Sequence, residues 1–271
     1  MVAERTDWAG VTHDVSGDRP RIASLVPSLT ETLFALGLGE RVVARTGFCT
    51  HPRDAVRRVP KIGGTKDPDL AKLREIGPSH LIVNVDENRR EDVDAARAFV
   101  PSIVVTHPMG PEDNARLLQL LGAIFSRVAD AKALAADCRS ALAELDDATA
   151  ALPRQRVLYL IWRKPWMTVA RDTYVSRTLA RAAFDTLPSR SDRRYPEVDD
   201  EDAAWRDAER ILLSTEPYAF RERDAVALRE STAKPVELID GEWTSWYGVR
   251  AAQGLRALAA FRTASRRLPM G

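Results

Sequence analysis

From Arg21 onward, short and nearly continuous apolar runs alternate with stretches whose apolar residues recur every three or four positions. RIASLV, RVVARTG, HLIVNV and SIVVT read as strands. Their Val, Ile and Leu content suits strands covered on both faces, as in a parallel sheet. Helices are expected between them near 29–37, 69–76, 89–99 and 111–124. In SLVPSLTETLFALG, residues 24–37, Ser28 and Glu31 stand at the S-x-x-E spacing of a capping box. A buried strand is therefore expected to feed a helix capped by its own side chains.

The pattern then changes. Ser126 to Leu152 contains neither Gly nor Pro, and its apolar residues repeat at three and four, which predicts one long helix closed by Pro153. Beyond it the alternation resumes. RVLYLI, MTVA, ERILLS and VELI read as strands, and 173–183, 221–231 and 248–264 as helices. The halves echo one another. Shifted by 130 positions, HLIVNVDE (80–87) falls on RILLSTEP (210–217), so each half ends a central strand beside an acidic residue, Asp86 or Glu216. The expected organisation is an N-terminal extension (1–20), an α/β lobe (21–125), a linking helix (126–152) and a second α/β lobe (153–271). Ligands of open α/β sheets bind outside the carboxyl ends of strands, so a ligand cleft between two Rossmann-like lobes is expected.

Composition removes several alternatives. With 40 basic and 39 acidic residues, the net charge of +1 gives no electrostatic case for nucleic acid or an anionic membrane. Cys49 and Cys138 match neither a disulfide framework nor a zinc spacing. No apolar window is long enough to span a bilayer. The polar N-terminus shows no secretory h-region, which sets the expectation of a cytoplasmic, monomeric protein, periplasmic only if a leader has been trimmed. Gly37-Leu38-Gly39 lacks the third glycine of a dinucleotide fingerprint, so no nucleotide cofactor is expected. Walker A, G-x-S-x-G and H-E-x-x-H sequences are also missing, so catalysis has no motif to support it.

Two groups of residues carry candidate chemistry. Cys49-Thr50-His51 and His107-Pro108 both follow predicted strands, where Cys49 and His51 are candidate ligands for a soft or borderline metal. Aromatic residues crowd the second-lobe loops: Trp162 and Trp166 in WRKPW, Trp243 and Trp246 in EWTSWYG, then Tyr195 and Tyr218. Such a wall suits a broad, partly apolar ligand whose polar edges Lys164, Glu216 and Glu242 would fix. Asn88, just past the third strand, joins the candidate ligand-facing set.

VPSLTETLFALG, GGTKDPDLAKLREIGPSHLIV, the long helix, WRKPWMTV, SRRYPEV, STEPYAF and DGEWTSWYG together resemble the helical-backbone metal receptor family. That family includes the cobalamin- and siderophore-binding proteins of ABC importers. The resemblance spans about residues 20 to 265. It implies two lobes on one rigid helix, with the ligand between them and little hinge motion. It also implies a cleft lined by Pro27, Ser28, Leu29 and Thr30, by Phe48 and His51, and by second-lobe aromatics. The ligand would be a corrinoid or another metal chelate. Importer-coupled members carry one exposed Glu on each lobe. Glu201 occupies the second position, whereas the first reads Ala71-Lys72, with Glu75 one turn on. That departure argues against docking to a permease. The competing reading is a cytoplasmic enzyme or ligand carrier on the same scaffold, using the Cys49/His51 loop.

Overall fold

A computed structural model describes residues 5–264 and divides the chain into two compact units. Unit 1 comprises Met1–Pro108, Asp113–Cys138 and Tyr247–Arg250; unit 2 comprises Met109–Glu112, Arg139–Trp246 and Ala251–Gly271.

Unit 1 is built on strands β1 (Ile22–Ser24), β2 (Val42–Arg45), β3 (His80–Asn84) and β4 (Ser102–Thr106), in the order β2-β1-β3-β4, all parallel. Helices α1 (Pro27–Ala35), α2 (Arg53–Val56), α3 (Leu70–Ile76), α4 (Arg90–Ala96) and α5 (Asn114–Ile124) accompany it. One core layer joins Ala23, Leu25, Ala44, Leu81, Val83 and Ile103 of the strand region to Leu73 of α3 and Val93 and Ala96 of α4. The alternate strand residues Ile22, Ile82 and Val104 are also fully buried, so both faces of the sheet are covered, as continuous apolar strands require. Helix α6 (Val128–Thr149) begins in unit 1 and ends in unit 2.

Unit 2 repeats the plan with β5 (Gln155–Leu160), β6 (Phe184–Thr186), β7 (Arg210–Ser214) and β8 (Val236–Ile239), ordered β6-β5-β7-β8 and again parallel. Its helices are α7 (Tyr174–Arg181), α8 (Ala203–Asp207), α9 (Glu222–Thr232), α10 (Glu242–Ser245) and α11 (Ala251–Ala264). Strands β3 and β7 hold the same place in their sheets, which is the equivalence implied by the 130-residue echo. Their ends are alike as well. Asn84 Oδ1 accepts the N–H of Asp86 at 2.8 Å, and Ser214 Oγ accepts that of Glu216 at 3.4 Å.

Four expectations need correction. The Ser28/Glu31 capping box does not form. Pro27, which has no N–H to satisfy, takes the first helical position of α1, with Val26 as N-cap and no side-chain cap. Glu31 instead holds Arg250 through two hydrogen bonds of 2.8 and 2.6 Å. The MTVA run is not a sheet strand. Met167 bridges Trp162 and Glu197, and Thr168 and Ala170 donate to the carbonyls of Pro196 and Arg194, so residues 166–170 form an irregular ribbon with 194–198. The second-lobe boundary also differs, because Tyr247–Arg250 belongs to unit 1. The Tyr247 hydroxyl donates to Glu87, and Gly248 N donates to Asn114 Oδ1 at 2.7 Å.

Lastly, the described part of the N-terminal extension is integral to unit 1. Trp8 N donates to the Val105 carbonyl at 3.1 Å, and Val105 N to Asp7 Oδ2 at 2.9 Å, covering edge strand β4. Asp7 also accepts His13 Nε2 at 3.0 Å and the N–H groups of Ala9 and Val11 at 2.9 Å. Burial alone would push the Asp7 pKa up, but the hydrogen bonds from His13, Val105 and Val11 outweigh it, and the net shift is downward. A carboxylate held below its unfolded value stabilises the fold above that value, and the contribution is lost as pH falls through the folded one. Asp7→Asn should therefore cost about 1–3 kcal/mol at neutral pH. Urea midpoints should show the deficit shrinking in acid.

Candidate functional site

The carboxyl ends of both sheets carry the candidate residues. In unit 1, β1 runs into α1, whose first turn buries Ser28, Leu29 and Thr30. Thr30 Oγ1 donates to the Val26 carbonyl at 2.9 Å and lies 3.1 Å from Cys49 Sγ. Thr46 Oγ1 lies 3.2 Å from the same sulfur. Beneath this loop the buried Arg45 guanidinium donates to the carbonyls of Val56, Thr46 and Cys49 at 2.8, 3.0 and 3.0 Å. Holding the loop from below turns Phe48 outward, where it is 64% exposed. His51 is half-buried at the end of the same loop.

Past β3 and β4, Asp86 Oδ1 lies 3.6 Å from His107 Nε2, and Lys66 Nζ donates to the Asp86 carbonyl at 2.6 Å. Asn88 is a brace rather than an open contact. Its Oδ1 accepts the Asn84 N–H at 2.8 Å, and its Nδ2 donates to the carbonyls of Thr65 and Leu25 at 3.0 and 3.4 Å.

In unit 2, the chain beyond β5 forms a narrow hairpin in which Ile161 N donates to Met167 O at 2.9 Å and Met167 N to Trp162 O at 3.2 Å. Lys164 lies exposed at its tip. Trp162, 41% exposed, meets Tyr218 edge-on at 5.6 Å. From there, rings continue inward: Tyr218 to Phe220 at 4.6 Å, Phe220 to Trp166 at 6.2 Å and Trp166 to Trp205 at 5.5 Å. Trp166 therefore anchors the outer rings to the core and is packed against it. Tyr195 is half-buried in the 194–198 ribbon.

The remaining aromatics of the wall have structural partners. Trp243 packs on Phe261 at 6.3 Å. Trp246 is only 8% exposed, and its Nε1 donates to Glu216 Oε1 at 2.6 Å. Ser245 Oγ donates to the same oxygen at 2.8 Å. Burial and the neighbouring Glu242 and Asp240 raise the Glu216 pKa, against the two hydrogen bonds. Glu242 is half-buried at the start of α10. Of the expected wall, Trp162 is exposed, Tyr218, Trp166 and Trp243 are half-buried against neighbouring rings, and Trp246 is buried. Sequence alone could not separate them, because all follow predicted strands among Pro, Gly and charged residues.

For the Cys49/His51 pair, burial pushes the Cys49 pKa up against hydrogen bonds from Thr30 and Thr46, so the sulfur is held as a thiol. Metal ligation uses the thiolate. Among the described residues no three His, Cys, Asp or Glu side chains converge as a metal site.

Two parallel sheets of identical strand order, each with an exposed aromatic beyond a carboxyl end, define an α/β protein of two like units. The chain belongs to the periplasmic binding protein family, which it matches over residues 22–234. The vitamin B12-binding protein of Photorhabdus laumondii is 23% identical over 203 residues, 75% of this chain and 74% of that protein. Among solved structures, the periplasmic vitamin B12 binding protein BtuF of Vibrio cholerae has a TM-score of 0.80 at 19% identity, over 92% of this chain and 98% of that one. The periplasmic heme-binding protein RhuT of Roseiflexus has a TM-score of 0.78 at 21% identity, over 92% and 99%. These relationships overturn the expectation of a cytoplasmic chain: its family is periplasmic.

Proposed function

We propose that this protein binds a corrinoid or a related metal chelate through the carboxyl-end loops of its sheets, without covalent chemistry. One observation carries the reading. Among the described residues, Phe48 and Trp162 are the exposed aromatic side chains, and each follows a strand's carboxyl end by two or three residues. Exposed flat rings at that place suit a broad macrocycle better than a small polar solute. The vitamin B12-binding and heme-binding relatives support the same ligand class. The thiol form of Cys49 favours binding over an enzyme built on the Cys49/His51 loop.

Trp162→Ala tests this. Because the residue is 41% exposed and lies at the outer edge of the ring cluster, folding stability should change by no more than about 1 kcal/mol. Affinity for cobalamin or haem should fall by about 1–3 kcal/mol, measured as a loss of ligand-induced tryptophan quenching and a weaker titration. Unchanged affinity would remove Trp162 from the site. Permease docking follows a separate line. Ala71 and Lys72 are exposed at the start of α3, and Glu201 is exposed in unit 2. Ala71 stands where the family resemblance leads one to expect the first carboxylate, with the cation Lys72 beside it, so we propose that permease docking is weakened.

A further inference from the structure

Unit 2 contains a 190 Å³ cavity, lined by Arg154, Arg171 and Arg177 together with Ser176, Thr186 and Asp185. It lies between helix α7 and edge strand β6. Asp185 is its one acidic residue, and Arg154 occupies both carboxylate oxygens through bonds of 2.9 Å from Nε and 2.6 Å from an Nη. Arg171 feels Asp185 only at longer range, and the Arg177 side chain forms no hydrogen bond or ion pair among the described residues. Two guanidinium charges therefore remain uncompensated on one concave wall, which concentrates positive potential there. The wall also offers a hydroxyl. Ser176 Oγ and Thr186 Oγ1, both buried, lie 2.5 Å apart. Their mutual bond uses one of two hydroxyl hydrogens and leaves the other to donate. Planar guanidinium forks plus a hydroxyl donor are a complement for a tetrahedral oxyanion.

We propose that this cavity is a second binding site, for a phosphate group, either as the free ion or as a phosphomonoester. It is independent of the strand-end loops and of the ligand they take. Arg171→Gln/Arg177→Gln is the informative variant, since both residues are exposed. Arg57→Gln/Arg58→Gln, exposed arginines outside the cavity, is the control. Inorganic phosphate and glycerol 3-phosphate are titrated at ionic strength matched with chloride, following phosphorus NMR and the unfolding temperature. Parent and control should bind alike, and the Arg171/Arg177 variant should bind about tenfold more weakly or worse. Stronger binding of inorganic phosphate assigns the site to the free ion, and stronger binding of the ester assigns it to a phosphorylated molecule. No binding by the parent, or equal weakening in both variants, overturns the proposal.

Discussion

Trp246→Ala is expected to cost about 3–5 kcal/mol of folding stability, the usual loss when a large aromatic leaves a packed interior. Its indole is 8% exposed, and its Nε1 donates to Glu216 Oε1 at 2.6 Å. Truncation opens a cavity and removes one of the two side-chain donors on that oxygen, the other being Ser245. Glu216→Gln separates the two effects. Burial raises the Glu216 pKa above its ordinary 4.5, so ionisation opposes folding. The penalty is absent below the unfolded pKa, grows as pH rises through the interval, and is complete above the folded value. Glu216→Gln should therefore be more stable than the parent at neutral pH and match it in acid, while Trp246→Ala should be less stable at both. Denaturant unfolding at two pH values measures both, and a Trp246→Ala loss below about 1 kcal/mol would contradict the buried placement.

Gly248→Ala should be nearly as damaging, at about 3 kcal/mol. It combines the cost of a non-glycine residue in the left-handed region with overpacking. Gly248 has φ +84°, and an added Cβ would collide with Thr32 Oγ1. That hydroxyl cannot easily withdraw, because it donates to the Ser28 carbonyl at 2.9 Å and accepts the Val249 N–H at 3.1 Å. Moving the backbone instead would break the 2.7 Å bond from Gly248 N to Asn114 Oδ1. Thermal unfolding of Gly248→Ala alone and with Thr32→Ser checks the collision. Thr32→Ser keeps the hydroxyl, so it should rescue little.

The fold was largely legible because parallel strands buried on both faces advertise themselves as apolar runs, as HLIVN and RILLS do. Even the equivalence of β3 and β7 showed in the 130-residue echo. Strand β6, FDT, did not show. Three residues with an acid at the centre carry no period, while the more apolar MTVA run drew the assignment instead. The capping box misled because proline's missing N–H moved the helix start ahead of Ser28. At the candidate site, the four tryptophans and Tyr218 do lie beyond strand ends, whereas Tyr195 lies in the 194–198 ribbon. Sequence could not tell which faced outward, since that depends on partners distant in sequence: Glu216 for Trp246, Phe261 for Trp243 and Tyr218 for Trp162. The N-terminal segment was missed for the same reason, its partners Ser102 and Val105 lying far along the chain.

Ligand binding is tested most directly by spectral titration of the purified protein with cyanocobalamin and, separately, with haemin, at about 10 μM protein, where micromolar affinity or better is readily seen. The expected result is a saturable change in the chromophore's absorption at one equivalent of one of them, reversible on dialysis and without conversion of the ligand. Neither chromophore responding, or either being chemically altered in proportion to time rather than to protein, would contradict the proposed function.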